Sequence, residues 1–426
     1  MLKTCAILHA GLTLSWSSLV AQDRVSPLSP PVDWKRLDAF QGAITRTAFE
    51  GALKKVYSIG DAYKHTIEIH EDHARIQTGE DTWTTLKFSK SNALKRTTRR
   101  FWRSRKEILP SLTKERPLNS VRIALDPGHL GGPWARMEER WYVMDDSEKP
   151  VTEGDLTLIV AKLLETRLEA LGAIVLPVRA SSKPTTPRRP KDFEDLARED
   201  LKRMGLTDPP LKYALEAPLE DRRKSVQWHS EKYFYRISEI RHRAQRINQR
   251  LKPDIALCLH FNAEAWGDPS KPEFVPRNHL HFLINGAYSS YELGMNDERF
   301  QMILRLLQGT HTEEQALAES VAPHFARHTQ LPAFQYITNN VKRPSPNPYV
   351  YARNLLANRL FECPVLYFEP YVMNSEDVFA RVQAGLYEGE REVNGITRSS
   401  IFHEYVEGTV EGLVAYFTTT QEAPNE

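Results

Sequence analysis

The spacing of apolar residues changes character near residue 120. Between 35 and 90, apolar positions first recur at helical intervals (Leu37, Phe40, Ile44, Phe49, Leu53, Val56). That spacing predicts a helix from Trp34 to Val56. Three short runs follow, at 66–70, 74–77 and 83–88, in which apolar and polar residues alternate. They predict a small antiparallel sheet, so 35–90 reads as an N-terminal α+β domain of unassigned role. From 121 onward short apolar runs alternate with long amphipathic stretches, the pattern of a mostly parallel sheet flanked by helices. Strands are expected at 121–126, 173–178, 254–260, 279–285 and 365–369. Helices are expected at 155–171, 233–251, about 296–308, 312–328 and 399–417. In the first of these Leu156, Ile159, Val160, Leu163, Leu164, Leu168 and Leu171 share one face, and Gly172 stands where the helix should stop. Residues 180–230 are charged, contain proline, and are too long for an ordinary connection, so they form an insertion that is functional or loosely ordered. There are no internal repeats.

Composition narrows the class. A chain of 426 residues, 41% hydrophobic and 26% charged, is an ordinary globular composition and suggests two or three domains. A formal net charge of +2 gives no electrostatic case for nucleic acid. The first residues differ from the rest. Met1-Leu2-Lys3, an apolar stretch to Val20 and then Ala21-Gln22-Asp23 read as a signal peptide over 1–22, which implies export to a periplasmic or extracellular site. The stretch is short for a membrane span and carries His9. Cys258 and Cys363 sit in apolar runs and read as buried small hydrophobes, although an exported protein could pair them. The run 95–106 carries seven arginines and lysines around Phe101 and Trp102; within 91–120 it reads as a basic linker in preference to a patch for anionic polymers.

Candidate chemistry gathers where strands end. Ile123-Ala-Leu-Asp-Pro-Gly-His129 finishes an apolar run in a histidine on a glycine-rich turn, Leu130-Gly-Gly132. Ile255-Ala-Leu-Cys-Leu-His260 repeats the pattern, and Val365-Leu-Tyr-Phe-Glu369 ends in a carboxylate. In open α/β sheets ligands bind at the carboxyl ends of the strands. Glu153 begins the first long helix near the same edge. Two histidines and a carboxylate are a catalytic zinc set with room for a water. A further carboxylate must then accept the water's proton, and Glu369, between Phe368 and Pro370, suits that task. His279 and His281 read as strand packing. Arg241, Arg243 and Arg246 read as a helix surface from which one could reach a substrate carboxylate.

Four motifs resemble the zinc-dependent N-acetylmuramoyl-L-alanine amidases of the amidase_3 type. They are Asp126-Pro-Gly-His-Leu-Gly-Gly132, Glu153-Gly-Asp-Leu-Thr-Leu158, Leu259-His-Phe-Asn-Ala263 and Leu366-Tyr-Phe-Glu369 with Asn374 beyond it. The resemblance covers about 121–418. It implies an α/β fold with a twisted six-stranded sheet, and hydrolysis of the amide between N-acetylmuramic acid and L-alanine in peptidoglycan. It implies zinc on His129, Glu153 and His260, Glu369 as the catalytic group, and Asp126 as a residue that orients a ligand. Leu130 and the extra residues 134–151 depart from the family pattern and leave Glu138, Glu139 and Glu148 as rivals for the carboxylate ligand; Glu153 is preferred because it opens the helix as the family's motif does. In some relatives a helix in the region of 291–308 covers the zinc until an activator protein moves it. Two other readings stay open: a wall-binding protein without catalysis, and a zinc peptidase acting on another amide.

Overall fold

The computed structural model describes residues 24–91, 100–144, 149–214, 217–265 and 273–419. The segment read as a signal peptide, 95–99 of the basic run, and Glu148 lie outside the described residues. The architecture is α/β, built on one six-stranded sheet. Its strands are β1 (Arg122–Pro127), β2 (Ile174–Pro177), β3 (Ile255–Leu259), β4 (Leu280–Ile284), β5 (Val350–Ala352) and β6 (Val365–Pro370). They lie in the order β5-β4-β6-β3-β1-β2. Every neighbouring pair is parallel except β6 with β4, which is antiparallel.

Side chains alternate across a strand, so each strand divides its residues between two layers. Ile123 and Leu125, Leu257 and Leu259, Phe282, and Leu366 and Phe368 enter one large buried cluster. The helices α1 (Glu153–Ala170), α3 (Thr310–Thr329) and α4 (Ile401–Thr418) cover that face with Leu164, Leu168, Phe325 and Tyr405. The other face carries smaller residues, Ala124, Ala256, Cys258 and Val365, beneath Ala244 of α2 (Glu239–Gln245) and Ile247 beyond it. The same alternation continues to the strand ends. It puts Asp126, Tyr367 and Glu369, and His260 just past β3, on the small-residue face. That face is where a cavity can open, because there is less side-chain bulk to fill it.

The N-terminal unit differs from its expected single helix. It is a 3-10 turn at Trp34–Phe40, an α-helix at Arg46–Ala52 and a π-helical turn at Leu53–Tyr57. Gly42 at φ +66 interrupts it, and the Thr45 hydroxyl, which accepts from the Ala48 amide, starts the helix anew. The expected antiparallel sheet is present as Ile67–Ile69, His73–Gln77 and Trp83–Lys87. Its core is continuous with the central one: Phe49, Tyr57 and Ile76 belong to the cluster that holds Phe282 and Phe368. The insertion at 180–230 is substantially helical, with Glu194–Arg203 packed on Val226–Lys232 through Ala197, Leu201 and Val226. Helical backbone then runs on through α2 to Leu251. Among the described residues no helix is long and apolar enough to cross a membrane.

Candidate metal centre

The register of β1 against β3 sets Pro127 opposite Leu259, and the Gly128 amide donates to the Leu259 carbonyl at 2.8 Å. The two strands therefore deliver His129 and His260 side by side, with ring centroids 5.0 Å apart. Gly128 is required for space. A Cβ there would fall 2.1 Å from Cε1 of His260. The left-handed backbone sits one residue later, at His129 itself (φ +56), and again at Gly132 (φ +54). Glycine's backbone freedom is therefore used at Gly132 and not at Gly128. Gly131 and Gly154 are also spatial: a Cβ would meet Asp155 Oδ1 at 1.9 Å and the Leu130 carbonyl at 2.2 Å.

His129, Glu153 and His260 offer three ligand atoms that all lie within 4.8 Å of one another. His129 Nε2 is 3.3 Å from Glu153 Oε2, and His260 Nδ1 is 3.1 Å from Glu153 Oε1. The His260 ring stacks on Tyr367 at 4.3 Å. Burial holds the His129 imidazole well below its usual pKa, hence neutral. Burial pushes the Glu153 carboxyl upward, but His129, His260 and Arg140 outweigh it and leave the group below its ordinary value, hence ionised. A neutral His129 imidazole beside a buried, ionised Glu153 carboxylate, with His260 converging on the same group, suits a divalent cation. The donor set fits zinc.

The residues between His129 and Glu153 support this cluster. Glu138, buried at 3% exposure, accepts from the Leu130 amide at 3.1 Å and faces His129 Nδ1 at 2.9 Å. The His129 ring thus presents Nε2 to the cluster, and Glu138 is its support and not its rival as ligand. Burial pushes the Glu138 carboxyl up to about 7. Arg140 donates from Nε to Glu153 Oε2 at 3.1 Å, and its carbonyl accepts from the Glu153 amide at 3.3 Å. Glu139 points away, toward Arg222 at 3.7 Å.

Glu369 lines the same cavity of about 410 Å³ as the three clustered residues. Burial raises its pKa to about 7, with Glu153 adding and His260, Arg140 and Arg353 opposing. Other expectations are revised. Asp126 does not reach a histidine; it pairs with Arg243 at 3.0 Å. Arg243 is not on a helix surface. It is buried, pairs also with Glu239 at 2.8 Å, and donates to the carbonyls of Pro127 and His129 at 2.9 and 3.2 Å. It therefore ties α2 to the turn that carries His129, and sequence spacing held only a weak trace of this, the Glu239/Arg243 interval of four. Arg241 pairs with Asp297 at 3.6 Å. His279 faces Glu264 at 3.1 Å and His281 faces the Tyr336 hydroxyl at 3.0 Å. Asn374 bonds the backbone of Glu264 on both sides of its amide. Cys258 and Cys363 are free and buried.

Residues 291–308 do not cover the cluster. Nearly all of the helix Asn296–Gln308 is buried in the core through Met302, Ile303, Leu306 and Leu307, and none of it lines the cavity. Among its described residues the insertion at 180–230 contributes no lining residue either. Its first residues act from behind: Ser182 donates to Asp155 at 2.6 Å, and the amides of Thr185 and Thr186 donate to Glu239.

No protein-family model and no curated protein matches this chain. Solved structures similar to it include the N-acetylmuramyl-L-alanine amidase Ami1 from Mycobacterium smegmatis, at 13% identity and a TM-score of 0.38, over 70% of this chain and 98% of that one. The N-acetylmuramoyl-L-alanine amidase from Clostridium difficile 630 aligns at 13% identity and a TM-score of 0.35, over 71% and 100%. The CwlD amidase from Clostridioides difficile, solved in complex with the GerS lipoprotein, aligns at 11% identity and 0.37, over 70% and 98%.

Proposed function

We propose that this chain is an exported, zinc-dependent N-acetylmuramoyl-L-alanine amidase acting on peptidoglycan. One observation carries the reading: His129, Glu153 and His260 converge within 4.8 Å, and Glu369 faces the same cavity. These are the four positions singled out by the motif resemblance. The signal-like N-terminus supports export.

His129 through Nε2, His260 through Nδ1 and Glu153 would hold the metal. A zinc ion there supplies a Lewis acid that polarises the scissile carbonyl and makes a water acidic near neutral pH. The chain's own residues do the rest. Glu138 fixes the tautomer and ring orientation of His129, as carboxylate partners of metal-ligating histidines do. Arg140 fixes the orientation of the Glu153 carboxylate. Glu369 takes a proton from the attacking water and returns it to the leaving alanine amine; a carboxyl titrating near neutrality is suited to both steps. The cavity's position on the small-residue face gives the lactyl-peptide amide access to these groups.

The test is metal analysis combined with Glu369→Gln. The variant should bind zinc as the parent does and lose hydrolysis by about 10²–10⁴-fold. Full activity in Glu369→Gln would remove the proposed acid–base role.

A further inference from the structure

Four arginines line the cavity: Arg140, Arg236, Arg243 and Arg353. Their charges are not equally matched. Arg243 lies between Asp126 and Glu239, and Arg140 is paired with Glu153. Arg236 and Arg353 make no ion pair among the described residues. Arg353 follows β5, where its amide donates to the Ile284 carbonyl at 2.9 Å, and its guanidinium centre lies 6.0 Å from the Tyr336 ring. Arg353 and Tyr351 share the strand face of Tyr367 and Glu369, because Tyr351, Leu283 and Tyr367 are aligned across β5, β4 and β6. Arg236 lines the same cavity from the helical run before α2, exposed to solvent and 5.6 Å from the Tyr235 ring. Arg353 acts on the Glu369 carboxyl only at a distance, so a cavity that holds two guanidinium groups outside any ion pair is prepared for an anion supplied from outside. Arginine's planar fork matches a carboxylate in bidentate fashion.

We infer that Arg353, assisted by Arg236, forms a subsite for a free carboxylate on the peptide, beside the bond that is cut. This rests on the amidase reading and deepens it. In the stem peptide the residue after L-alanine is D-glutamate, joined onward through its side chain, so its α-carboxylate is free unless it has been amidated. With the lactyl–alanine amide at the His129/Glu153/His260 cluster, that carboxylate is one residue away, within the same 410 Å³ space. Such a volume lies in the range of small-molecule sites and accommodates a dipeptide. The subsite therefore makes the enzyme selective for stem peptides that carry glutamate over those that carry isoglutamine. Arg353 and Arg236 are specificity-determining residues here and take no part in bond cleavage.

The experiment compares the γ-methylamides of N-acetylmuramoyl-L-alanyl-D-glutamate and N-acetylmuramoyl-L-alanyl-D-isoglutamine, whose side-chain carboxyl is blocked as it is in the stem peptide, as substrates of the zinc-loaded full chain. The parent protein should favour the acid by about tenfold or more in kcat/KM, mainly through KM, the scale expected for a charge-assisted hydrogen bond. Arg353→Gln should bring the acid-to-amide ratio of kcat/KM to about one, whatever its effect on the common rate. Arg236→Gln should narrow the difference in part. Equal kcat/KM for acid and amide in the parent would overturn the subsite and leave the amidase reading in place. If the parent cleaves neither compound, the amidase reading falls, and binding decides the subsite. The γ-methylamide of L-alanyl-D-glutamate should then bind more tightly than that of L-alanyl-D-isoglutamine by calorimetry, and Arg353→Gln should abolish the difference. Equal binding of the two dipeptides would reject the subsite independently of catalysis.

Discussion

Gly128→Ala probes the geometry of the metal centre with a single methyl group. The backbone at Gly128 is not in the left-handed region, so alanine fits the chain itself. The conflict is with His260, whose Cε1, Nε2 and Nδ1 atoms would lie 2.1, 2.4 and 2.5 Å from the new Cβ. Non-bonded carbons settle at about 3.5–4.0 Å, so the ring must retreat by more than an ångström. Its stacking on Tyr367 at 4.3 Å restricts that retreat. The movement draws Nδ1 away from Glu153 Oε1, now 3.1 Å distant. A displacement of about 1 Å at a reacting group costs on the order of 10²-fold. Overpacking should also cost about 1–3 kcal/mol of stability. The assay is zinc affinity by competition with a chromophoric chelator, beside thermal melting of the metal-free protein. A folded Gly128→Ala variant with the parent's zinc affinity would refute the placement of His260 over the turn.

Two further outcomes are expected. Glu138→Gln preserves size but replaces the carboxyl facing His129 Nδ1 with an amide, and should weaken zinc binding by about 10–100-fold in the same competition assay with the fold intact; unchanged affinity would mean Glu138 plays no part in ordering the ligand. His281 is held down to about 3 by burial, so the unfolded chain takes up its proton first. Its contribution is fully present above about 6.5 and is lost at about 1.4 kcal/mol per pH unit as the pH falls toward 3. His281→Phe should therefore flatten the acid side of the stability profile in denaturant titrations, and an identical slope in the variant would contradict the buried neutral state.

Much of this was readable before the fold was known, for specific reasons. Strands β1, β3, β4 and β6 are bounded to within a residue or two by the ends of their apolar runs, because each is buried on both faces. Strand β5 was not read. It is three residues, Val350–Ala352, among prolines and polar residues, and it exists through pairing with Phe282 to Ile284. His129, His260 and Glu369 are legible because they close apolar runs, and Glu153 because it opens an amphipathic helix. Their supports are not. Glu138 and Arg140 lie in extra residues without periodicity, and their roles depend on a chain reversal that returns them to His129 and Glu153. Arg243 was mistaken for surface because charge alone does not reveal that Asp126 and Glu239 await it inside. The role of Gly128 is not legible in the sequence, since the ring that occupies the place of its missing side chain, that of His260, comes from 132 residues further along.

The most direct measurement is the mass of the product released from purified sacculi by the zinc-loaded protein. The account predicts free stem peptides with a new L-alanine amino terminus, muramic acid left with its lactyl carboxylate, and loss of release on chelation. Cleavage inside the peptide, or release that persists without metal, would contradict it.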